Sequence, residues 1–263
     1  MNHVLWIGGA PGAGKTTVAT RLARRHGLRW YNADARTWAH RDRALREGSD
    51  AAARWEEWRH GMDATVGPDE LFAMSLHHER GPMVVDDVRA LPHAPLVVAE
   101  GATVSAALVA VPGRSVWLLP TAEFQEARLR ERDGRALELY LLLSDKIERE
   151  VRAHDAPTLA VAGSRTIDEL VAAVEDLFAE ALAHGPCAET PAERRALLRE
   201  GNLAQVEQIR AFYARPWADG DPEATERLWI CECGDPACTA DVRLTVAAAA
   251  AGPALAPEHQ SVR

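Results

Sequence analysis

The chain contains no apolar run near the roughly 18 residues that a membrane-spanning helix needs, so no membrane span is expected. Its start runs directly into an apolar strand and lacks the charged and apolar blocks of a secretory signal; a cytoplasmic location is the expectation. Positive charge is also short. Thirty Lys and Arg stand against 39 Asp and Glu, a net charge of −9. A general nucleic-acid binder needs a basic surface, so nucleic acid is not an expected partner. Lysine is nearly missing: Lys15 and Lys146 are the only two. Cysteine is scarce, and three of the four, Cys231, Cys233 and Cys238, fall within eight residues. In a cytosolic chain such a cluster points to a metal before a disulfide. No internal repeat is present. What remains, 47% hydrophobic and 26% charged over 263 residues, is ordinary for a globular protein of more than one average domain.

Against this background Gly9-Ala10-Pro11-Gly12-Ala13-Gly14-Lys15-Thr16 fits G-x-x-x-x-G-K-[ST], the phosphate-binding P-loop. Its flanks suit it. An apolar strand, His3 to Ile7, precedes it. The spacing of Val18, Ala19, Leu22 and Ala23 predicts a helix over Lys15–His26, closed by Gly27. Glycines let backbone N–H groups approach a polyphosphate, and the helix N-terminus adds partial positive charge. Lys15 then reaches the β- and γ-phosphates, and the Thr16 hydroxyl binds Mg²⁺, with Thr17 next in the ATP-binding run.

Further strands are expected at Leu28–Asn32, Met83–Val85, Pro95–Ala99, Ser115–Leu119 and Thr158–Ala162. Helical segments lie between them, including a Trp-rich one from Thr37 to His60. Strands alternating with helices predict an α/β fold with a parallel sheet covered on both faces, and a ligand site at the carboxyl ends of the strands. Thr166-Ile167-Asp168-Glu169 is a capping box opening an amphipathic helix. Residues 184–191 read as a linker. It joins a nucleotide-binding unit, 1–183, to a C-terminal unit, 192–263, made of a long helix and the cysteine cluster.

Phosphoryl transfer needs a phosphate cradle, a metal, a group that orients or deprotonates the acceptor, and cations over the moving group. Asp34 ends the second strand and is the candidate base or acceptor ligand; an N-cap for the Thr37 segment is the plainer role. Glu100 and Gly101 end the third core strand. Glu100 suits a substrate or metal-water ligand, and Gly101 suits close approach of a substrate to the backbone, though a strand-end turn explains both. Asp86-Asp87 reads either as a Walker-B-like carboxylate or as a turn. Residues 128–135 carry four arginines. Arg128 and Arg132 share a helical face, and Arg135 follows the hinge candidate Gly134. They are candidates for a lid that closes over ATP; a solvated helix face is the plainer reading. Gly163 and Ser164 follow the last strand, where the adenine would lie.

With GGAPGAGKTT, YNAD, VVAEG, RLRERDGR and VAGSR in place, residues 4–183 resemble the P-loop kinase superfamily. The likeness is to its adenylate kinase, shikimate kinase and chloramphenicol phosphotransferase branch. The resemblance implies a P-loop NTPase fold with a five-stranded parallel sheet in the order 2-3-1-4-5. It also implies transfer of the ATP γ-phosphate to a hydroxylated small molecule, with Asp34 at the position of a substrate-binding or catalytic aspartate. The segment Thr37–His60, with Trp38, Trp55 and Trp58, departs from the nucleotide and shikimate sites and leaves the acceptor open. An antibiotic or secondary metabolite, a nucleoside or nucleotide, and a non-catalytic ATP-binding regulator with a zinc-bearing partner module all stay in view. No feature of the sequence sets the oligomeric state.

At the C-terminus, Cys231, Cys233 and Cys238 give C-x-C-x₄-C, and a closed zinc site needs a fourth donor. His259 is the one histidine that follows; Cys187 is the other possible donor. Free buried thiols or a redox pair are the alternatives. The segment resembles a small C-terminal module of actinobacterial proteins in which a CECGDPxC run precedes a Thr-Val strand and a late His. The strand here is Val242–Val246, and alanines replace that module's later aromatics.

Overall fold

The computed structural model describes residues 1–61, 66–133 and 137–259. In chain order its elements are β1 (Val4–Gly9), α1 (Lys15–His26), β2 (Arg29–Asn32), a 3-10 turn (Ala33–Arg36), α2 (Thr37–Arg46), α3 (Asp50–Gly61), α4 (Pro68–Met74), α5 (His77–Ala90), β3 (Val97–Glu100), α6 (Ala106–Val109), β4 (Ser115–Pro120), α7 (Ala122–Asp133), α8 (Leu137–Ala153), β5 (Thr158–Val161), α9 (Ile167–Leu177), α10 (Ala179–His184), α11 (Pro191–Tyr213), β6 (Glu226–Ile230), β7 (Asp241–Thr245) and α12 (Val246–Ala251).

Strands β1 to β5 form one parallel sheet in the order β2-β3-β1-β4-β5, as expected. Side chains alternate between its faces. Leu5, Ile7, Val98, Val116 and Leu118 meet Val18, Ala19 and Leu22 of α1 and Leu170, Val171 and Val174 of α9. Val4, Trp6, Val97, Ala99 and Trp117 meet Val84, Val85 and Val88 of α5 and Ile147 and Val151 of α8. Both faces are buried, which is why these strands read as unbroken apolar runs. The register pairs Ile7 with Glu100 and Glu100 with Asn32, so β1, β3 and β2 run level at one end.

The expected strand at Met83–Val85 is a correction: these residues lie inside α5. A three-residue apolar run does not distinguish strand from helix. Val84 and Val88 are one helical turn apart and bury the same face, and Pro82 is accommodated inside the helix. The Walker-B-like reading of Asp86-Asp87 falls with the strand. Asp86 pairs with Arg43 at 3.1 Å, and Asp87 accepts hydrogen bonds from Tyr31 and His40.

The C-terminal residues pack onto the sheet. Leu198 of α11 and Ile230 of β6 belong to the same core as β1 and α1. Helix α11 crosses β2 so closely that a Cβ on Gly201 would stand 2.6 Å from the Trp30 ring. Residues 184–191 run along the sheet unit: Leu96 N–H donates to the Pro186 carbonyl and Ala188 N–H to the Gly27 carbonyl, at 2.7 and 2.8 Å. Strand β6, unforeseen in the sequence, pairs antiparallel with β7. Arg24 of α1, 4% exposed, donates to the Ala240 carbonyl at 2.8 Å and to Asp241 at 3.1 Å. Among the described residues no helix is long and apolar enough to cross a membrane.

Candidate functional site

The loop from Gly9 to Gly14 joins β1 to α1 at the carboxyl end of the sheet. Gly9 is dictated by its neighbour: a Cβ there would lie 2.2 Å from the Leu118 carbonyl oxygen of β4. Gly12 and Gly14 take φ of 80° and 82°, so the loop turns into the helix N-terminus. Lys15 is 7% exposed, and its ammonium donates to the Ala10 carbonyl at 2.9 Å across the loop. The Thr16 hydroxyl donates to Glu100 Oε1 at 3.1 Å.

Glu100 is wholly buried, and among the described residues its Oε2 makes no hydrogen bond of good geometry, although the Trp30 indole is near enough to act on the carboxyl. Burial first, and then the charge of Asp34, push its carboxyl up to about 7, against the opposing pull of Lys15 and Thr16. Gly101, the substrate-approach candidate, has another reason to be glycine: a Cβ there would stand 2.7 Å from that of Ala33. The neighbouring Ala102 and Thr103 line the cavity instead.

Asp34 is exposed. The N-cap of the Thr37 helix is Arg36, with no side-chain cap hydrogen bond, and not Asp34. The Asn32 side-chain oxygen caps the preceding 3-10 turn, accepting from the backbone N–H of Asp34 and Ala35 at 2.8 and 3.2 Å. The Asp34 carboxylate is left for the cavity. That cavity, about 750 Å³, brings Gly12, Gly14, Lys15, Thr16 and Thr17 together with Asp34, Trp38, Arg41, Trp55, His77, Arg80, Arg128 and Tyr140. Trp38 and Trp55 thus line the site, while Trp58 stands edge-on to Trp55 at 5.2 Å. Burial first, then the charge of His78, lower the His77 imidazole to about 4, so it is neutral near pH 7.

Behind the cavity wall runs a relay. Arg80 Nε donates to His40 Nδ1 at 3.4 Å, which leaves Nε2–H of His40 to donate to Asp87 at 2.9 Å; Tyr31 donates to the same carboxylate at 2.7 Å. Burial would raise the Asp87 carboxyl, but these two hydrogen bonds outweigh it and hold it below its ordinary range.

Arg128 lies on α7 over the loop, its Cβ 3.8 Å from where a Gly12 Cβ would be, and pairs weakly with Glu131 at 3.8 Å. The Arg132 side chain, Gly134 and Arg135 lie outside the described residues. Gln125, missed in the sequence, ties α7 to the loop by donating to the Pro11 carbonyl at 2.8 Å. Gly163 and Ser164 are exposed at the end of β5, with Phe124 3.5 Å from a Gly163 Cβ position. A second cavity, about 630 Å³, opens beside His3, Leu96 and Arg114, which precede β1, β3 and β4; it is at the opposite ends of the strands from the loop.

The C-terminal cluster is compact. Cys231, Cys233, Cys238 and His259 place their donor atoms within 4.8 Å of one another. His259 Nδ1 is 3.4 Å from Cys231 Sγ and 3.7 Å from Cys238 Sγ. Three thiols and one imidazole, with the cysteines buried, are a donor set that suits a tetrahedral ion such as zinc. Cys187 is exposed and outside this group.

No protein-family model and no curated protein matches the chain. Among solved structures, "Crystal structure of TT1252 from Thermus thermophilus" is similar at 22% identity, covering 68% of this chain and 98% of that one, with a TM-score of 0.43.

Proposed function

We propose that the chain is an ATP-dependent phosphotransferase that moves the γ-phosphate to a hydroxyl of a small molecule. The observation that carries this reading is the single cavity in which the P-loop, Asp34 and Arg128 all face one space. The residues suit Mg·ATP: the loop glycines leave its backbone open to phosphate, and Glu100 Oε2 is a buried acceptor that makes no hydrogen bond of good geometry among the described residues. Lys15 and the loop N–H groups neutralise the β- and γ-phosphates. Thr16 and Glu100, already hydrogen-bonded to each other, would hold the metal. Bound Mg²⁺ supplies charge neutralisation of the phosphates. Asp34 accepts the proton of the acceptor hydroxyl, and Arg128 covers the moving group. The C-terminal cluster holds a structural zinc.

Two variants test this. Asp34→Ala abolishes phosphotransfer, by about 10²-fold or more, and leaves ATP binding intact; unchanged turnover would remove Asp34 as base. Lys15→Ala cripples turnover with every acceptor. The acceptor itself is found by following ATP consumption across nucleosides, sugars, aminoglycosides and other hydroxylated metabolites. ATP binding with no turnover on any of them would favour a nucleotide-binding regulator.

A further inference from the structure

Among the described residues, no carboxylate forms a direct ion pair with two buried guanidinium groups of the cavity wall, Arg41 and Arg80. Arg41 is 2% exposed and Arg80 6%. Their hydrogen bonds go to neutral groups: Arg41 Nη2 to the Met74 carbonyl at 3.0 Å, Arg80 Nη2 to the Ala33 carbonyl at 2.6 Å, and Arg80 Nε to His40. Arg41 Nε and Nη1 are buried with no hydrogen-bond partner among the described residues. The Arg41 guanidinium lies 4.5 Å from the centre of the Trp55 ring and 5.9 Å from that of Trp38. These faces orient a cation without neutralising it.

Elsewhere the fold treats buried arginines differently. Arg215, 9% exposed, has Asp42 at 2.6 Å and Glu56 at 3.3 Å; Arg24 has Asp241. A buried charge left without a partner is costly, and these two other buried arginines each have an acid beside them. Glu56, the acid that most favours the charge on Arg41, is already held by Arg215 and by the Trp217 indole. Asp34 acts on Arg80 from within the cavity. Burial, joined by the charges of Arg80 and Arg215, lowers Arg41 to about 10, still charged near pH 7.

We infer that Arg41 and Arg80 form an anion-binding subsite for the acceptor, so that the hydroxylated substrate carries a carboxylate or phosphate group. This rests on the phosphotransferase reading of the cavity and narrows it. A planar guanidinium matches the two oxygens of either anion. The subsite holds the acceptor by its anionic end while Asp34 meets its hydroxyl. Neutral sugars and nucleosides leave Arg41 unpaired and are poor acceptors.

The test uses the full-length, metal-loaded protein with its P-loop saturated by a non-hydrolysable ATP analogue and Mg²⁺, so that added anion cannot bind there. Inorganic phosphate and acetate are titrated at constant ionic strength while tryptophan emission is followed, since Trp38 and Trp55 flank Arg41. A saturable response to either is expected, with Arg41→Gln and Arg80→Gln each weakening it by about tenfold or more. Phosphate preferred over acetate assigns a phosphorylated acceptor, and the reverse a carboxylate. No saturable response to either up to roughly 50 mM, or an unchanged affinity in both variants, overturns the subsite. Should a glutamine variant fail to fold, Arg41→Lys keeps the charge and removes the fork; it is expected to weaken binding by about threefold or more, and unchanged affinity counts against the site. The titration involves no turnover, so it can fail while the acceptor screen succeeds, and the reverse.

Discussion

Glu100 shows how far one buried atom pair reaches. Its carboxyl titrates near 7 in the fold against 4.5 for the ordinary group. Between those values the folded chain keeps a proton that the unfolded chain has released. Stability therefore falls as pH rises through that window, by roughly 3 kcal/mol, and levels off above it. Glu100→Gln removes this term. Denaturant unfolding without nucleotide is expected to show the variant more stable than the parent at pH 8 and level with it near pH 4, at the expense of Mg²⁺-dependent ATP affinity. Equal pH slopes would remove Glu100 as their source. At this scale the sequence was legible wherever position along a motif or a strand end singles a residue out. Lys15, Thr16, Asp34 and Glu100 are such cases. Arg41 and Arg80 were not legible. Arginine supplies nearly all the positive charge of the chain, and nothing local separates one folded under tryptophan from one in water.

Among elements, the strand–loop–helix at the start and the capping box of α9 were readable because local chemistry decides them: glycine conformation in the first, a reciprocal side-chain cap in the second. Helix α5 was misread because three apolar residues carry no period. Helix α11 was foreseen as a helix, but its seat on β2 was not, since a glycine inside a helix does not announce what approaches it. Gly201→Ala tests that seat. In an open helix the change gains about 1 kcal/mol. Against the Trp30 ring the added methyl is expected to cost about 1–3 kcal/mol instead, read as a lower melting temperature. A rise would mean that Trp30 yields freely.

For the molecule as a whole, the Cys/His cluster and the sheet are expected to melt as one. Cys231 begins directly after β6, whose Ile230 is part of the sheet's core, and the turn around Cys238 is held by Arg24. Purified protein should carry about one equivalent of zinc; less than about 0.2 would argue against a structural site. Cys238→Ser should lower the calorimetric transition of the entire chain, whereas two separate transitions would show that the halves fold independently.

Arg24 has a consequence of another kind. It sits on the helix that begins with the P-loop lysine, yet its hydrogen-bond acceptors lie more than two hundred residues later. The chain therefore has no clean cut point. A truncation after residue 183 would strip the Asp241 carboxylate and two carbonyls from Arg24 and uncover Trp30, leaving an insoluble stump in place of a minimal P-loop unit. Grafting this glycine-rich loop onto another scaffold would require the cysteine-bearing tail to travel with it.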